Sequence, residues 1–174
     1  MNKLLAVMFS ALIGASSFAN AAIDETIRVK ETIEINAPAD QVWAIVGNFG
    51  DLGRWHPAIA KTDITSGKAT EVGATRVLTL QDGGKINETL TARDDASMTM
   101  KYDITESVLP VREYSATIQV QSAGGKTTVL WKSMFKRQDP ANPPAAGKDD
   151  KTARDTITHI FKTGLENLKK ISEK

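Results

Sequence analysis

The sequence predicts one α+β domain: about seven antiparallel strands, two short helices after the first strand, and one long helix at the C-terminal end. Three observations carry the prediction. Short segments of alternating apolar and polar residues recur between Gly- and Asp-containing turns, which marks an antiparallel meander. A Pro-opened segment with apolar residues at helical spacing follows the first of them. The chain then closes on a single amphipathic stripe.

The elements follow in order. Met1-Asn2-Lys3 is a short positive start, residues 4–13 are mostly apolar, and Ala19-Asn20-Ala21 is a small-x-small cleavage signal. Together they read as a secretory signal peptide over residues 1–21, too short in its apolar part to span a bilayer comfortably. The mature domain is then residues 22–174. Residues 26–35 alternate with Ile27, Val29, Ile33 and Ile35 on one face, as a half-buried strand does. Ala37-Pro38 opens the first helix, with Asp40 near its positive end and Val42, Ile45 and Val46 at helical spacing. Gly47-Asn48 stops it, and a second short turn carries Phe49, Leu52 and Trp55.

Strands are expected over residues 59–65, 74–80, 85–93, 97–104, 113–121 and 127–136, separated by Ser66-Gly67, Asp82-Gly83-Gly84, Asp94-Asp95 and Ala123-Gly124-Gly125. Pro140 to Gly147 forms an irregular linker inside the domain, and Asp149-Asp150 provides an acidic start for the last helix. Ala153, Ile157, Ile160, Phe161, Gly164, Leu165, Leu168 and Ile171 form its apolar stripe, with Lys169, Lys170 and Lys174 at its negative end.

Composition removes several functions. The leader carries one of the 22 basic residues and none of the 21 acids, so the mature chain has formal net charge zero. It offers no basic field for nucleic acid, and no later segment would anchor it in a membrane. With no cysteines there are no disulfides, thiolate metal sites, Cys nucleophiles or lipid-modified Cys. The two histidines, His56 and His159, have no ligand spacing. No nucleophile elbow, phosphate loop or dinucleotide fingerprint is present, and no cofactor is predicted.

The stretch Ile33-Glu-Ile-Asn-Ala-Pro-Ala-Asp-Gln-Val-Trp43, followed by Phe49-Gly-Asp-Leu-Gly-Arg-Trp-His-Pro57, resembles the START/Bet v 1-like superfamily, the polyketide cyclase and lipid-transport group. The resemblance covers nearly the whole mature chain. It implies a helix-grip fold, in which a curved sheet wraps a long C-terminal helix and encloses a ligand-sized cavity ringed by the strand-connecting loops. Gly164, with no side chain to project, would help to leave that space.

Glu88 stands out because the run from Gly73 through Arg76 to Leu90 looks like the stretch that places a Glu inside the pocket of the plant hormone-receptor branch. Three readings are open: a hydrogen-bond anchor for a ligand, the partner of an internal Arg76–Glu88 ion pair, or a carboxylate simply exposed on the outer face. His56, between Trp55 and Pro57, could point a polar head into the pocket, although a structural His bonded to backbone at a tight corner is favoured. Tyr102, Tyr114 and Trp131, with Met98 on the face of Tyr102, would supply a pliable lining, or simply core. Ile157 and Ile160 would complete it from the helix. Leu109 to Arg112 and Gln81 to Gly84 would border the mouth.

Three functions follow. The first is a periplasmic carrier of a hydrophobic or amphipathic small molecule. The second is an accessory protein for a periplasmic redox enzyme. Here the leader and the Val-Trp…Phe…Trp-His-Pro-Ala pattern are similar to the MxaD-like proteins of methanol-oxidation gene clusters, which assist methanol dehydrogenase and its cytochrome. The third is a cyclase- or aromatase-like enzyme using His56, Glu88 and a Tyr.

Overall fold

The computed structural model describes residues 25–174; the leader and its cleavage signal lie outside the described residues. In chain order the elements are β1 (Ile27–Ile35), α1 (Ala39–Val46), a 3-10 turn (Phe49–Asp51), α2 (Leu52–Trp55), β2 (Ile59–Ser66), β3 (Thr75–Leu80), β4 (Lys85–Asp94), β5 (Thr99–Ser107), β6 (Val111–Ala123), β7 (Lys126–Arg137) and α3 (Asp150–Ser172). The strands form one antiparallel sheet ordered β1-β7-β6-β5-β4-β3-β2. β1 and β2 are thus its two edges, and the α1–α2 segment carries the chain from one edge to the other.

Period-two alternation sorts each strand into an inner and an outer face. Inward lie Ile27, Val29 and Ile35 from β1, Met100 and Tyr102 from β5, Ile118 and Val120 from β6, and Val129, Trp131 and Phe135 from β7, all buried. Against them α3 lays Ala153, Ile157, Phe161, Leu165 and Leu168. The start of α3 is capped as its acidic pair implies: the Asp149 carboxylate accepts from the Thr152 N–H at 2.6 Å.

Bulges bend the sheet around this helix. Register slips occur between Leu90 and Ala92 on β4 and between Arg112 and Ser115 on β6, where Glu113 takes φ +51°. An extra residue at such a point sharpens the local twist and curves the strand. At the other end of α1, Gly47 is needed for space and not for its dihedral angles: a Cβ there would stand 2.7 Å from the Trp43 ring. Trp43 then donates through Nε1 to Asp95 at 2.9 Å, and Arg93 lies over its indole, fixing α1 on the β4–β5 turn.

The fifth strand starts two residues later than its alternation suggests. Met98 has φ +46° and belongs to the β4–β5 turn. Among the described residues no helix is long and apolar enough to cross a membrane.

Candidate functional site

The site lies where the inner face of the sheet meets α2 and the middle of α3. Arg76 and Glu88 sit directly opposite one another on β3 and β4. Both are buried, at 2 % and 4 % exposure. Arg76 Nε and Nη2 each approach Glu88 Oε2 at 2.6 Å, while Nη1 donates to the Phe49 carbonyl. The guanidinium also lies over the Phe49 ring at 4.0 Å. Arg76 is therefore held by a carboxylate, a backbone oxygen and an aromatic face, which suits its planar fork better than a lysine would. Burial pushes the Glu88 carboxyl above its usual range, and the charge and hydrogen bonds of Arg76 oppose that shift. Both contacts from Arg76 fall on Oε2. No hydrogen bond to Oε1 is found among the described residues.

His56 stands at the end of α2 with each ring nitrogen committed. The Ala58 N–H donates to Nδ1 at 3.2 Å, and Nε2 lies 2.9 Å from the Ile160 carbonyl of α3. A nitrogen that accepts from an amide carries no proton, and one facing a carbonyl must carry it. The neutral Nε2–H tautomer follows. Burial lowers the pKa of this ring, and the bond to Ile160 opposes the shift.

Trp131 connects the two clusters. Its Nε1 donates to the Tyr102 hydroxyl at 2.9 Å, its ring stacks on Phe161 at 4.2 Å, and Trp55 lies against it at 5.4 Å. Tyr102 is raised beyond the ordinary tyrosine range, chiefly by burial and then by the Glu88 charge. Tyr114 is raised well above it for the same leading reason, with Tyr102 and Glu88 adding to the shift. Neither phenol ionises near neutrality.

These side chains surround a cavity of about 40 Å³. Of the residues expected at a pocket, His56, Glu88, Tyr102, Tyr114, Trp131, Ile157 and Ile160 line it. Three do not. Arg76 lies behind Glu88, and Met98 is displaced into its turn. Gly164 leaves no space, because His56 and Trp131 take it: a Cβ there would stand 2.5 Å from His56 Cδ2 and 3.0 Å from the Trp131 ring.

The ligand-sized cavity expected from the sequence is corrected accordingly. At ~10–15 Å³ per water, this one has room for a few waters. Packed indoles and the His56 ring fill what alternation alone would leave open. Sequence reading also missed Leu52, Ile59, Leu78 and Ile86 in the wall. The signal was present: Leu78 and Ile86 share the face of Arg76 and Glu88 two positions along their strands. Of the two loops expected at the mouth, Leu109 lines the cavity while none of residues 81–84 does; Val108, just before Leu109, packs beside Gly84. Among the described residues no cluster of His, Cys, Asp or Glu could hold a metal ion.

Comparison with known structures places this geometry. The protein XoxI from Bacillus cereus is 28 % identical, with a TM-score of 0.72 over 83 % of this chain and 94 % of that one. An uncharacterised protein from Bacillus thuringiensis matches equally, over 83 % and 98 %. Ginseng major latex-like protein 151 from Panax ginseng shares the Bet v 1-like fold at TM-score 0.68 and 16 % identity, over 84 % and 97 %. The model of the family described as polyketide cyclase / dehydrase and lipid transport matches residues 26–173, nearly all that the structure describes, and the chain belongs to that family.

Proposed function

We propose that this protein binds a small, mainly apolar molecule with a hydrogen-bonding head, in a cavity that widens to admit it. The observation that carries the reading is the wall itself. Aliphatic and aromatic side chains surround one buried carboxylate whose Oε1 is not used by Arg76. Such convergence of a few polar groups in an apolar hollow is how ligand pockets fix orientation. Family membership and the Bet v 1-like fold support it. The signal peptide read in the sequence supports an exported, periplasmic setting.

The arrangement serves binding better than catalysis. His56 is held neutral with both nitrogens bonded to backbone, so it is poorly placed to shuttle a proton. The two tyrosines stay protonated. The redox-enzyme partner rests on sequence motifs alone; nothing in the geometry of the site bears on it.

Native mass spectrometry of protein purified from its own extract tests the proposal. An added mass that is lost on denaturation, and lost from Glu88→Gln, is expected. A bare mass, with no thermal stabilisation by a panel of amphipathic molecules, would refute it.

A further inference from the structure

The outer face of the sheet, turned away from α3, carries charge in a pattern that the cavity does not explain. Lys30 on β1 pairs in register with Lys132 on β7, Lys132 with Thr117 on β6, and Thr117 with Lys101 on β5. Three lysines therefore stand in one row across four adjacent strands. The neighbouring row runs Arg28, Met134, Ser115, Asp103. The two rows present four cations against one carboxylate, in a chain whose formal net charge is only +1.

These side chains line a groove of about 580 Å³ with no acidic residue in its wall. None of the four cations takes part in a side-chain ion pair among the described residues, while lysines elsewhere on the surface do, as in Lys68–Glu71, Lys126–Glu34 and Lys151–Asp155. Met134, 45 % exposed, adds an apolar contact among them.

Like charges directly opposed across a strand pair are unfavourable. Lys30 facing Lys132 is such a pair, and the fold gains nothing from it. A stability cost at an exposed position, where many residues would serve, points to something that binds there.

We propose that this face docks an acidic segment of a partner protein, laid in extended form across β1, β7, β6 and β5. Three strand spacings of ~4.8 Å give a row of about 14 Å, the length of roughly four extended residues. Two or three carboxylates in such a segment would meet the lysines while an apolar side chain covers Met134. A groove suits a peptide better than a bilayer, and a chain with so small a net charge lacks the long-range field that nucleic acid binding uses.

The test is fluorescence anisotropy at low ionic strength with a dye-labelled peptide of alternating Glu and Ser, run on the whole protein. Saturable binding that weakens with salt is expected, with about a tenfold loss in Lys132→Glu and a similar loss in Lys101→Gln. Lys132→Glu also places a carboxylate opposite Lys30, so its melting temperature is expected to rise as binding falls. That combination separates a docking role from a structural one. A control, Lys68→Glu with Lys151→Glu, should bind as the parent does.

Four results would overturn the proposal. These are no binding, equal losses in the control, equal binding of the same peptide with Gln for Glu, or stronger competition by phosphatidylglycerol vesicles or oligothymidylate than by unlabelled peptide.

Discussion

The ring of His56 occupies the volume that a side chain at Gly164 would need, with Cδ2 2.5 Å from where that Cβ would stand. The contact ties α2 to α3, and it is reinforced by His56 to the Ile160 carbonyl and by Asn167 to the Trp55 carbonyl at 2.8 Å.

Gly164→Ala therefore sets two effects against each other. Helix propensity favours Ala by ~1 kcal/mol, while overpacking a filled interior costs ~1–3 kcal/mol. Neither His56, bonded at both nitrogens, nor Trp131, stacked on Phe161, can retreat easily, so net destabilisation is expected. His56→Ala should remove most of that penalty. Chemical denaturation of the two single variants and the double should show a coupling well outside additivity.

The Arg76–Glu88 pair predicts an asymmetry. Removing one partner leaves the other charged and buried, so Arg76→Ala should cost ~3–5 kcal/mol. A buried ion pair gives up much solvation on folding, and well-packed apolar residues of similar volume often replace one at little or no cost. Arg76→Met combined with Glu88→Leu should then lie near the parent in stability, which denaturant unfolding would show. An additive loss in the double variant would contradict this.

The same groups give stability two opposing pH dependences. His56 is lowered, so the unfolded ring takes up a proton first as pH falls, and stability declines below about 6.5. Glu88 is raised, so the folded carboxyl protonates first, and its contribution to stability rises as pH falls toward 4.5. Melting temperature against pH should lose its decline near pH 6 in His56→Gln. In Glu88→Gln it should lose the compensating rise at lower pH.

Tyr102→Phe keeps the ring and removes the acceptor for Trp131 Nε1. An unpaired buried donor costs ~1–3 kcal/mol, and thermal unfolding should show a loss of that size. The change also brings the cavity wall one oxygen closer to wholly apolar, so binding of a purely hydrocarbon probe should strengthen relative to an amphipathic one.

Much of this was legible in the sequence because its cause is local. The acidic start of α3, the Pro-opened α1 and the seven alternating strands each follow from residues near one another in the chain. Register was less so: the bulges at Glu113 and near Ala92, which curve the sheet around α3, interrupt strands whose alternation reads as regular, and Met98 lies in a turn that alternation counts as strand. At the site, Glu88 could be singled out and the Arg76–Glu88 pair named as one of three readings, but an outward Glu88 stayed open because the facing of its strand depends on register with β3 and β5. What Gly164 does could not be read. Whether a missing side chain leaves a hole or makes room for a neighbour depends on His56, which lies 108 positions away.

The strand order has a consequence for how the molecule comes together. From β3 to β7 each strand pairs with the one just before it, closing short loops at small entropic cost. β1 must instead wait for β7, since Ile27 pairs with Phe135, 108 positions later. Long-range closures of this kind slow folding and come late. The hairpins of β3 to β6 should therefore gain amide protection before β1, and simultaneous protection in pulse-labelled hydrogen exchange would contradict that order. The cavity wall draws on β7, α2 and α3 together, so the hollow is among the last features to form, and a chain caught partway exposes Trp131 and Phe161 before anything covers them.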